Sequence, residues 1–259
     1  MSAPETPLSR ARSEFSRQAR AMAAAPAFRD DRAIEPFVRL LGPPAAGPVL
    51  DLACGPGIVA AALGRAGHAV IGIDAALAML ERARAQCDPL QGARAGFAAA
   101  AAERLPFASG GFAGAVTRLA LHHLPEPSLA LVELRRVLAR AAPLVVGDIV
   151  CSPDPAEAEL HNALETLRDP SHQRFLSEVE LVELLETAGF AVESCEGFAQ
   201  QRSFADWAAI VADARKLEPL EVVMRTLAQT GVRAGIDLRS ANGSVEFSLA
   251  FRFVRAFPC

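Results

Sequence analysis

The chain has no tyrosine, and its 26 basic residues include a single lysine, Lys216. The lack of tyrosine excludes every reaction that depends on a tyrosine side chain as acid or base. Alanine and arginine are abundant instead, a bias that we interpret as the codon usage of a GC-rich bacterial genome and not as a sign of function. The composition is otherwise that of a packed globular protein, since 51% of the 259 residues are hydrophobic and 22% are charged.

An excess of positive charge is also missing, because 26 basic residues are outnumbered by 30 acidic ones and the net charge is -4. Proteins that bind nucleic acid through its phosphates need a basic surface, so we expect no nucleic-acid partner. The five cysteines form neither a Cys-x-x-Cys pair nor a cluster with histidine, which predicts reduced thiols, a cytoplasmic location and no metal site. No apolar run reaches the roughly 18 residues that would cross a membrane.

Short apolar segments alternate with helical patterns between residues 45 and 150. Helices are predicted over residues 58–66, 77–86 and 128–140. Strands are predicted at "PVLDLAC", "AVIGID", "ARAGFAAA", "GFAGAVTRLAL" and "PLVVGDIV". Apolar strands that alternate with helices predict a parallel sheet covered on both faces.

After residue 150 the alternation stops. An amphipathic helix follows "SPDP", and a second helix is expected to begin after Ser177, which forms a capping-box pattern with Glu180. The prediction continues with a strand over 190–204 and one or two helices over 204–230 around Trp207. A final alternating segment over 243–257 predicts a strand that runs antiparallel to its neighbour.

The chain divides into an N-terminal helical segment, residues 1–44, and a core domain, residues 45–259. Residues 1–9 are expected to be disordered, and the helical pattern over 13–41 is interrupted at Pro26 and Pro36. The core contains insertions at about 151–176 and 204–235, which a sheet does not need. We expect these insertions and the N-terminal segment to form a helical lid over an active site.

The glycine-rich turn "GPG" lies between the first predicted strand and the helix that follows it. In open parallel sheets, ligands bind beyond the carboxyl ends of the strands, often at a helix N-terminus. The turn also satisfies the Gly-x-Gly-x-x-Ala pattern of dinucleotide-binding proteins, but Asp51 would face a pyrophosphate with like charge. Asp51 suits a ligand with an ammonium group and no phosphate, and Asp74, which ends the second strand, suits ribose hydroxyls. S-adenosylmethionine has both groups.

The stretches "VLDLACGPG", "VIGID", "AERLPF", "LALHHLPEP" and "ELRRVL" together resemble the class I S-adenosylmethionine-dependent methyltransferases, and most closely the ubiquinone/menaquinone-biosynthesis type. The resemblance covers about residues 45–150 and extends to about 190. It implies an α/β, Rossmann-like fold, in which a seven-stranded, mostly parallel sheet has helices on both faces and an antiparallel last strand. It also implies S-adenosylmethionine as cofactor and a small-molecule acceptor as partner, in a monomer or homodimer.

The family's cofactor-binding residues transfer to matching positions of this sequence. By this resemblance, the methionine part of the cofactor contacts Asp51, Ala53, Gly55 and Gly57, and the ribose contacts Asp74. The adenine and the remaining contacts are assigned to Met79, Ala101, Ala102 and Leu119. Here "AAAERLPF" departs from the family's "GDAERLPF", so Ala101 stands where the family has an acid for the adenine amino group. One lost hydrogen bond costs about 1 kcal/mol, so we expect weakened cofactor binding. The departure leaves open another reaction on the same fold, such as cyclisation of a natural product.

Methyl transfer to oxygen or to an acidic carbon needs a base, and histidine suits this role near neutral pH. We expect His123 or, slightly less, His122 to face the cofactor, although a positioning role also fits. His172, paired with Asp169, is a second candidate, with a surface capping turn as the alternative. We expect a mainly apolar, uncharged acceptor, such as a quinone, phenol or polyketide-like product, and not a phosphorylated one. A nicotinamide-dependent oxidoreductase is disfavoured by Asp51 and by the lack of tyrosine.

Overall fold

A computed structural model describes residues 6–88, 95–211, 217–241 and 243–259. Its strands are β1 (Val49–Leu52), β2 (Val70–Asp74), β3 (Ala95–Ala99), β4 (Gly114–Arg118), β5 (Leu144–Val150), β6 (Phe190–Ser203), β7 (Arg239–Ala241) and β8 (Ser244–Pro258). They form one sheet with the order β3-β2-β1-β4-β5-β8-β6, and β7 pairs with β8 beside this path. The strands β1 to β5 are parallel, whereas β8 is antiparallel to β5, β6 and β7.

The architecture confirms the predicted α/β fold with a mostly parallel sheet and an antiparallel last strand. The main path has the seven strands that were expected, and the short strand β7 adds an eighth. This extra strand was not predicted, because its three residues become a strand only through a hairpin with β8. Isolated from such pairing, a segment of this length has no stability of its own.

Nine helices surround the sheet in the described ranges. They are α1 (Pro7–Ala24), α2 (Glu35–Leu41), α3 (Ile58–Arg65), α4 (Leu77–Cys87), α5 (Pro127–Val137), α6 (Pro155–Arg168), α7 (Glu178–Thr187), α8 (Phe204–Ala208) and α9 (Glu218–Gln229). Alternate strand residues belong to two different cores. Leu50 and Val146 pack with α5 and α7, whereas Val49 and Val145 pack with α2 and α3, so both faces of the sheet are covered.

The N-terminal helix begins earlier than expected. Helix α1 starts at Pro7, and the Thr6 hydroxyl accepts a hydrogen bond from the backbone N–H of Ser9 at 3.1 Å. The prediction of disorder over residues 1–9 is therefore wrong for residues 6–9, because a side-chain cap and a proline at N1 stabilise the first turn. Residues 1–5 lie outside the described ranges. The break expected at Pro26 is present, since a 3-10 turn begins there.

Helix α7, which follows the insertion at about 151–176, has the predicted cap. The Ser177 hydroxyl accepts from the Glu180 backbone N–H at 3.3 Å, and the Glu180 carboxylate accepts from the Ser177 N–H at 2.8 Å. Further along, Trp207, Met224 and Phe247 belong to a third core that joins α8, α9 and the first half of β8. No helix in the described part of the chain has the length and hydrophobicity needed to span a membrane.

Candidate active site

A cavity of about 410 Å³, which we call the large cavity, lies at the carboxyl ends of β1, β2 and β4. Asp51, Asp74 and Leu119 line it from the sheet, and Phe15 lines it from α1. Pockets for small molecules commonly range over roughly 300–1,000 Å³, so this cavity has the size of a ligand site.

Asp51 contributes a buried carboxylate to the large cavity. The side chain is only 1% exposed and lines the large cavity. Its Oδ2 atom has no hydrogen-bond partner among the described residues. Burial raises the pKa of Asp51 to about 7, although the positive charge of Arg118 acts in the opposite direction. A buried acceptor without a partner costs free energy, which a cationic ligand would recover.

Asp74 connects the end of β2 to the glycine-rich turn. Its Oδ2 atom accepts from the backbone N–H of Gly55 at 3.0 Å, and its Oδ1 atom accepts from Ala76 at 2.8 Å. Burial raises the pKa of Asp74, while these two backbone donors act to lower it. Each carboxylate oxygen can accept a second hydrogen bond, so Asp74 can still bind a pair of hydroxyl groups in the cavity.

The two glycines of the turn serve different purposes. Both have left-handed backbone angles, with φ of +52° at Gly55 and +80° at Gly57. A Cβ atom added at Gly55, which lines the large cavity, would meet nothing within 4 Å. A Cβ atom at Gly57 would lie 2.8 Å from the Cα atom of Ala83. Gly57 is therefore required by the packing of the turn on α4, and it is not among the lining residues of the cavity.

Of the residues assigned to the adenine and remaining contacts, all but Ala101 line the large cavity. Met79 is 1% exposed and packs against Ala19 of α1 in a small hydrophobic cluster. Met79 and Ala102 line the cavity, as does Ala53 near the turn. Ala101 is not among the lining residues and forms an isolated backbone bridge with Arg104. The lining also includes Glu103, whose carboxylate was not predicted as part of the site.

Four of the five histidines lie close together around Phe175. Only His123 of this group lines the large cavity. Its neighbour His122 is turned towards Asp148, with 2.5 Å between Nδ1 and a carboxylate oxygen. Burial and the neighbouring His122 lower the pKa of His123 to about 4, so its ring is neutral at neutral pH. The described residues offer no group of metal ligands here.

His123 is connected to Asp169 through Ser171. The distance from His123 Nδ1 to the Ser171 hydroxyl is 3.1 Å, and that hydroxyl donates to the Asp169 carboxylate at 2.6 Å. An ionised carboxylate can only accept, so the Ser171 hydroxyl in turn accepts from Nδ1–H of His123. The relay thereby selects one tautomer of His123, in which Nε2 has a free lone pair.

The side-chain pair predicted between Asp169 and His172 is wrong. In the described residues, the Asp169 carboxylate accepts from the N–H and hydroxyl of Ser171 and from Gln18 at 3.3 Å. Ser171, two residues after Asp169, closes a local turn and reaches the carboxylate first. His172 is 4% exposed, donates from Nε2 to Asn162 at 2.9 Å, and is absent from the described lining of the large cavity.

Residues 49–141 match the family model described as "Methyltransferase domain". The uncharacterized methyltransferase YcgJ of Bacillus subtilis is 34% identical over 126 residues, and the match covers 49% of this chain and 50% of YcgJ. By sequence, the chain thus spans about half the length of this relative. The YcgJ structure superimposes with a TM-score of 0.79 at 24% identity, covering 87% of this chain and 97% of YcgJ.

A second solved structure, BH2331 of Bacillus halodurans, has a TM-score of 0.78 at 26% identity and covers 85% of this chain and 96% of its own. Residues 49–141 are a methyltransferase domain. These matches support the resemblance to the class I S-adenosylmethionine-dependent methyltransferases, whose cofactor is S-adenosylmethionine. The cyclase SpnF shares the fold, with a TM-score of 0.55 at 19% identity over 83% of this chain and 75% of SpnF.

The large cavity of the methyltransferase domain fits this cofactor. The buried, unpartnered oxygen of Asp51 suits the cofactor's ammonium group, and the carboxylate of Asp74 suits its ribose hydroxyls. Gly55 leaves free space where any other residue would place a side chain. The apolar wall around Met79 suits the face of an adenine ring.

A second cavity of about 60 Å³, which we call the small cavity, adjoins the large cavity. The two share the lining residues Phe15, Phe28, Arg118, Leu119 and His123, among others. Arg118 was not predicted as a site residue, although its place at the end of an apolar strand was a readable signal. The buried Arg202 was not predicted either, because no local pattern marks it and β6 reaches the site only through its pairing with β8.

The segments expected to form the lid contribute unequally to these walls. Helix α1 lines the large cavity with Leu8, Ala11 and Phe15. The late insertion supplies Trp207 and Ile210 to the small cavity, and α8 and α9 pack mainly in the third core. Among the described residues, α1 therefore covers the large cavity, and the late insertion contributes no residue to the lining of that cavity.

Proposed function

We propose that this chain is an S-adenosylmethionine-dependent methyltransferase acting on a small, largely apolar acceptor, such as a quinone, a phenol or a polyketide-like product. The observation that carries the proposal is the buried, unpartnered carboxylate of Asp51 in a cavity that also contains Asp74 and His123. When bound, the cofactor supplies an activated methyl group on its sulfonium. The protein has to align an acceptor with that methyl group, exclude water and accept a proton.

Cofactor binding is assigned to the turn and the strand ends. Asp51 would hold the ammonium group, and Asp74 the ribose hydroxyls, while Met79 and the backbone of Ala102 would contact the adenine. Gly57 would act indirectly, because its lack of a side chain allows the glycine-rich turn to pack closely on α4. Arg118 lies between the two cavities and donates from Nη1 to the Phe28 carbonyl at 3.0 Å.

His123 is the residue that we propose as general base. Its Nδ1–H donates to Ser171, which leaves the Nε2 lone pair to accept a proton from an acceptor hydroxyl or acidic C–H group. The low pKa of His123 keeps the resting ring neutral, and the negative charge of Asp169 favours the imidazolium that forms when the ring accepts that proton. This assignment supports O- or C-methylation. His172 would then have a structural role, since its Nε2–H is already bound to Asn162.

The surroundings of His123 favour an apolar acceptor. Phe15 meets the His123 ring edge-on, with 4.8 Å between ring centroids, and Phe28 and Leu124 line the same cavity. Such a wall excludes water from the reacting groups. We further propose that the protein is cytoplasmic and acts as a monomer or homodimer without nucleic acid. Its cysteines are free in the described ranges, which supports a reducing compartment.

A second candidate function is a non-methylating reaction on the same fold, such as cyclisation of a natural product. The observation that favours it is Ala101, which lacks the carboxylate that family members offer to the adenine amino group. A cyclase would bind the cofactor without consuming it and would return a product of unchanged mass. A methyltransferase would release S-adenosylhomocysteine and a product that has gained one methyl group.

Titration calorimetry with S-adenosylmethionine, S-adenosylhomocysteine and NADH tests the cofactor assignment. We expect micromolar binding of the first two and none of NADH, and the opposite result would refute the proposal. Asp74→Ala should weaken binding by about tenfold or more, because it removes the acceptor of the ribose hydroxyls. Unchanged affinity would place the ribose elsewhere. A screen of phenols, quinones and polyketides with mass detection then separates methylation from cyclisation.

A further inference from the structure

The lining of the small cavity includes a buried cation, Arg202, whose Nε and Nη2 atoms are not neutralised by a hydrogen bond to any described residue. We propose that Arg202 binds a carboxylate group of the acceptor in this cavity while the acceptor's reacting group lies at His123. This inference rests on the proposed function, since it names the substrate class of the same site: a largely apolar acceptor with one carboxylate.

The free atoms of Arg202 have the arrangement that recognises a carboxylate. Its side chain lies in the wall of the small cavity and is 9% exposed. Its Nε and Nη2 atoms have no hydrogen-bond partner among the described residues. These two N–H groups form one edge of the planar guanidinium, and that edge matches the two oxygens of a carboxylate. Leaving such a charged group buried and unpaired is costly, so the site favours an anionic ligand.

The two acids whose charges act on Arg202, Asp206 and Glu165, are already engaged. Asp206 accepts from the Ser203 hydroxyl at 2.8 Å. Glu165 accepts from Arg168 Nε at 2.9 Å and from the Trp207 indole N–H at 3.2 Å. Asp169 is held by Ser171 and Gln18. The lining of the small cavity contains three guanidinium groups and two carboxylates, so an excess of positive charge remains. Burial lowers the pKa of Arg202, and the positive charge of Arg168 lowers it further, as expected for a cation short of anionic partners.

The second buried guanidinium strengthens the same site. Arg118 lines both cavities, and its Nε atom also has no partner among the described residues. Gln200 precedes Arg202 by two residues on β6 and lines the small cavity, but its amide N–H groups donate to Ala27 and Asp30. Arg202 is thus the group with a complete edge of donors to offer.

Size and connection define what the small cavity can hold. Its volume of about 60 Å³ exceeds the roughly 10–15 Å³ that one water molecule needs, so the small cavity has room for a group of a few atoms such as a carboxylate. His123 and Phe15 belong to the walls of both cavities. An acceptor can therefore keep its apolar body in the large cavity and extend its acid group past His123 towards Arg202.

Binding of a matched acid and amide to the full-length protein tests this proposal. The probes are para-hydroxybenzoate and para-hydroxybenzamide, titrated with and without saturating S-adenosylhomocysteine. We expect the wild-type protein to prefer the acid by about tenfold or more, because hydrogen bonds to charged groups are the stronger ones. Arg202→Gln should abolish the preference without changing the affinity for S-adenosylhomocysteine, and Arg202→Lys should retain part of it.

The control is Arg239→Gln, an exposed arginine that pairs with Asp237 and Glu246 and should leave every affinity unchanged. Equal affinity of the wild-type protein for acid and amide overturns the proposal, as does failure to bind the acid at all. A preference that survives in Arg202→Gln also overturns it. Failure of S-adenosylhomocysteine to bind would instead contradict the proposed function, while the acid–amide comparison without it still tests the small cavity.

Discussion

The two cavities differ in charge and in the way the chain builds them. The lining of the large cavity contains four carboxylates and two guanidiniums, whereas that of the small cavity contains two carboxylates and three guanidiniums. A cationic cofactor and an anionic acceptor group would therefore be directed to different compartments. His123 lies at the boundary, where the two ligands would have to meet.

The construction of the walls differs as well. Most of the proposed cofactor residues of the large cavity come from the consecutive units β1–α3 and β2–α4, so that a short stretch of sequence determines their positions. The small cavity is assembled from α1, β4, α6, β6 and α8, which are far apart along the chain. Substitutions in the two regions should accordingly affect different measurements.

The largest effect is expected where the cavities meet. His123→Ala should lower turnover by about a thousandfold once an acceptor is known, because positioned bases contribute roughly 10²–10⁴ in rate. Ser171→Ala should lower it by about five- to tenfold, since one hydrogen bond that orients the ring is lost. Single-turnover rates and the affinity for S-adenosylhomocysteine are the measurements. A parallel loss of affinity and rate in His123→Ala would indicate a structural role.

A pair of glycine substitutions separates packing from ligand contact within the large cavity's turn. Gly57→Ala should destabilise the protein by about 3 kcal/mol. The alanine would have to adopt a left-handed backbone conformation, and its Cβ atom would also collide with Ala83. Gly55→Ala should cost only about 1 kcal/mol of stability but weaken cofactor binding, since its methyl group enters free space lining the cavity. Denaturant unfolding and calorimetry measure the two effects. Equal stability losses would contradict the distinction.

The pH dependence of stability tests the electrostatics of Asp51. Its pKa is about 7 in the folded protein against an ordinary 3.8, so the folded state binds an extra proton between those values. Wild-type stability should therefore fall as pH rises from about 5 to about 8, by about 3 kcal/mol relative to Asp51→Asn. The measurement is urea unfolding of both proteins at about pH 5 and about pH 8. A constant difference between them would show that Asp51 titrates normally.

The smallest effect is expected at the missing adenine acid. Ala101→Asp should tighten binding of S-adenosylhomocysteine several-fold, since about 1 kcal/mol corresponds to one hydrogen bond. Ala100 and Ala102, on either side of position 101, line the large cavity, so the new carboxylate has to reach the adenine between them. Glu103→Gln is the matched comparison, because Glu103 lines the cavity already. If only Glu103→Gln changes the affinity, the adenine is read by Glu103.

Local sequence patterns were sufficient for the sheet and for the frame of the large cavity. "VLDLACGPG" and "VIGID" end consecutive parallel strands, and the carboxyl ends of such strands meet at one edge. Asp51, Gly55 and Asp74 had to converge there once the alternation of strands and helices was recognised. The same patterns did not reveal that Gly57 is needed for packing on Ala83, because that contact arises only when α4 folds back.

The sequence by itself determined the α/β class, the antiparallel last strand and the edge of the sheet where the cofactor residues lie, since these follow from hydrophobic periodicity and short motifs. Only the tertiary structure decided that Ser171 and Asp169 act on His123, and that Arg202 is buried without a partner. The physical reason is separation along the chain. Hydrogen-bond partners from different elements are chosen by packing and by competition among neighbours, and no local pattern records that choice.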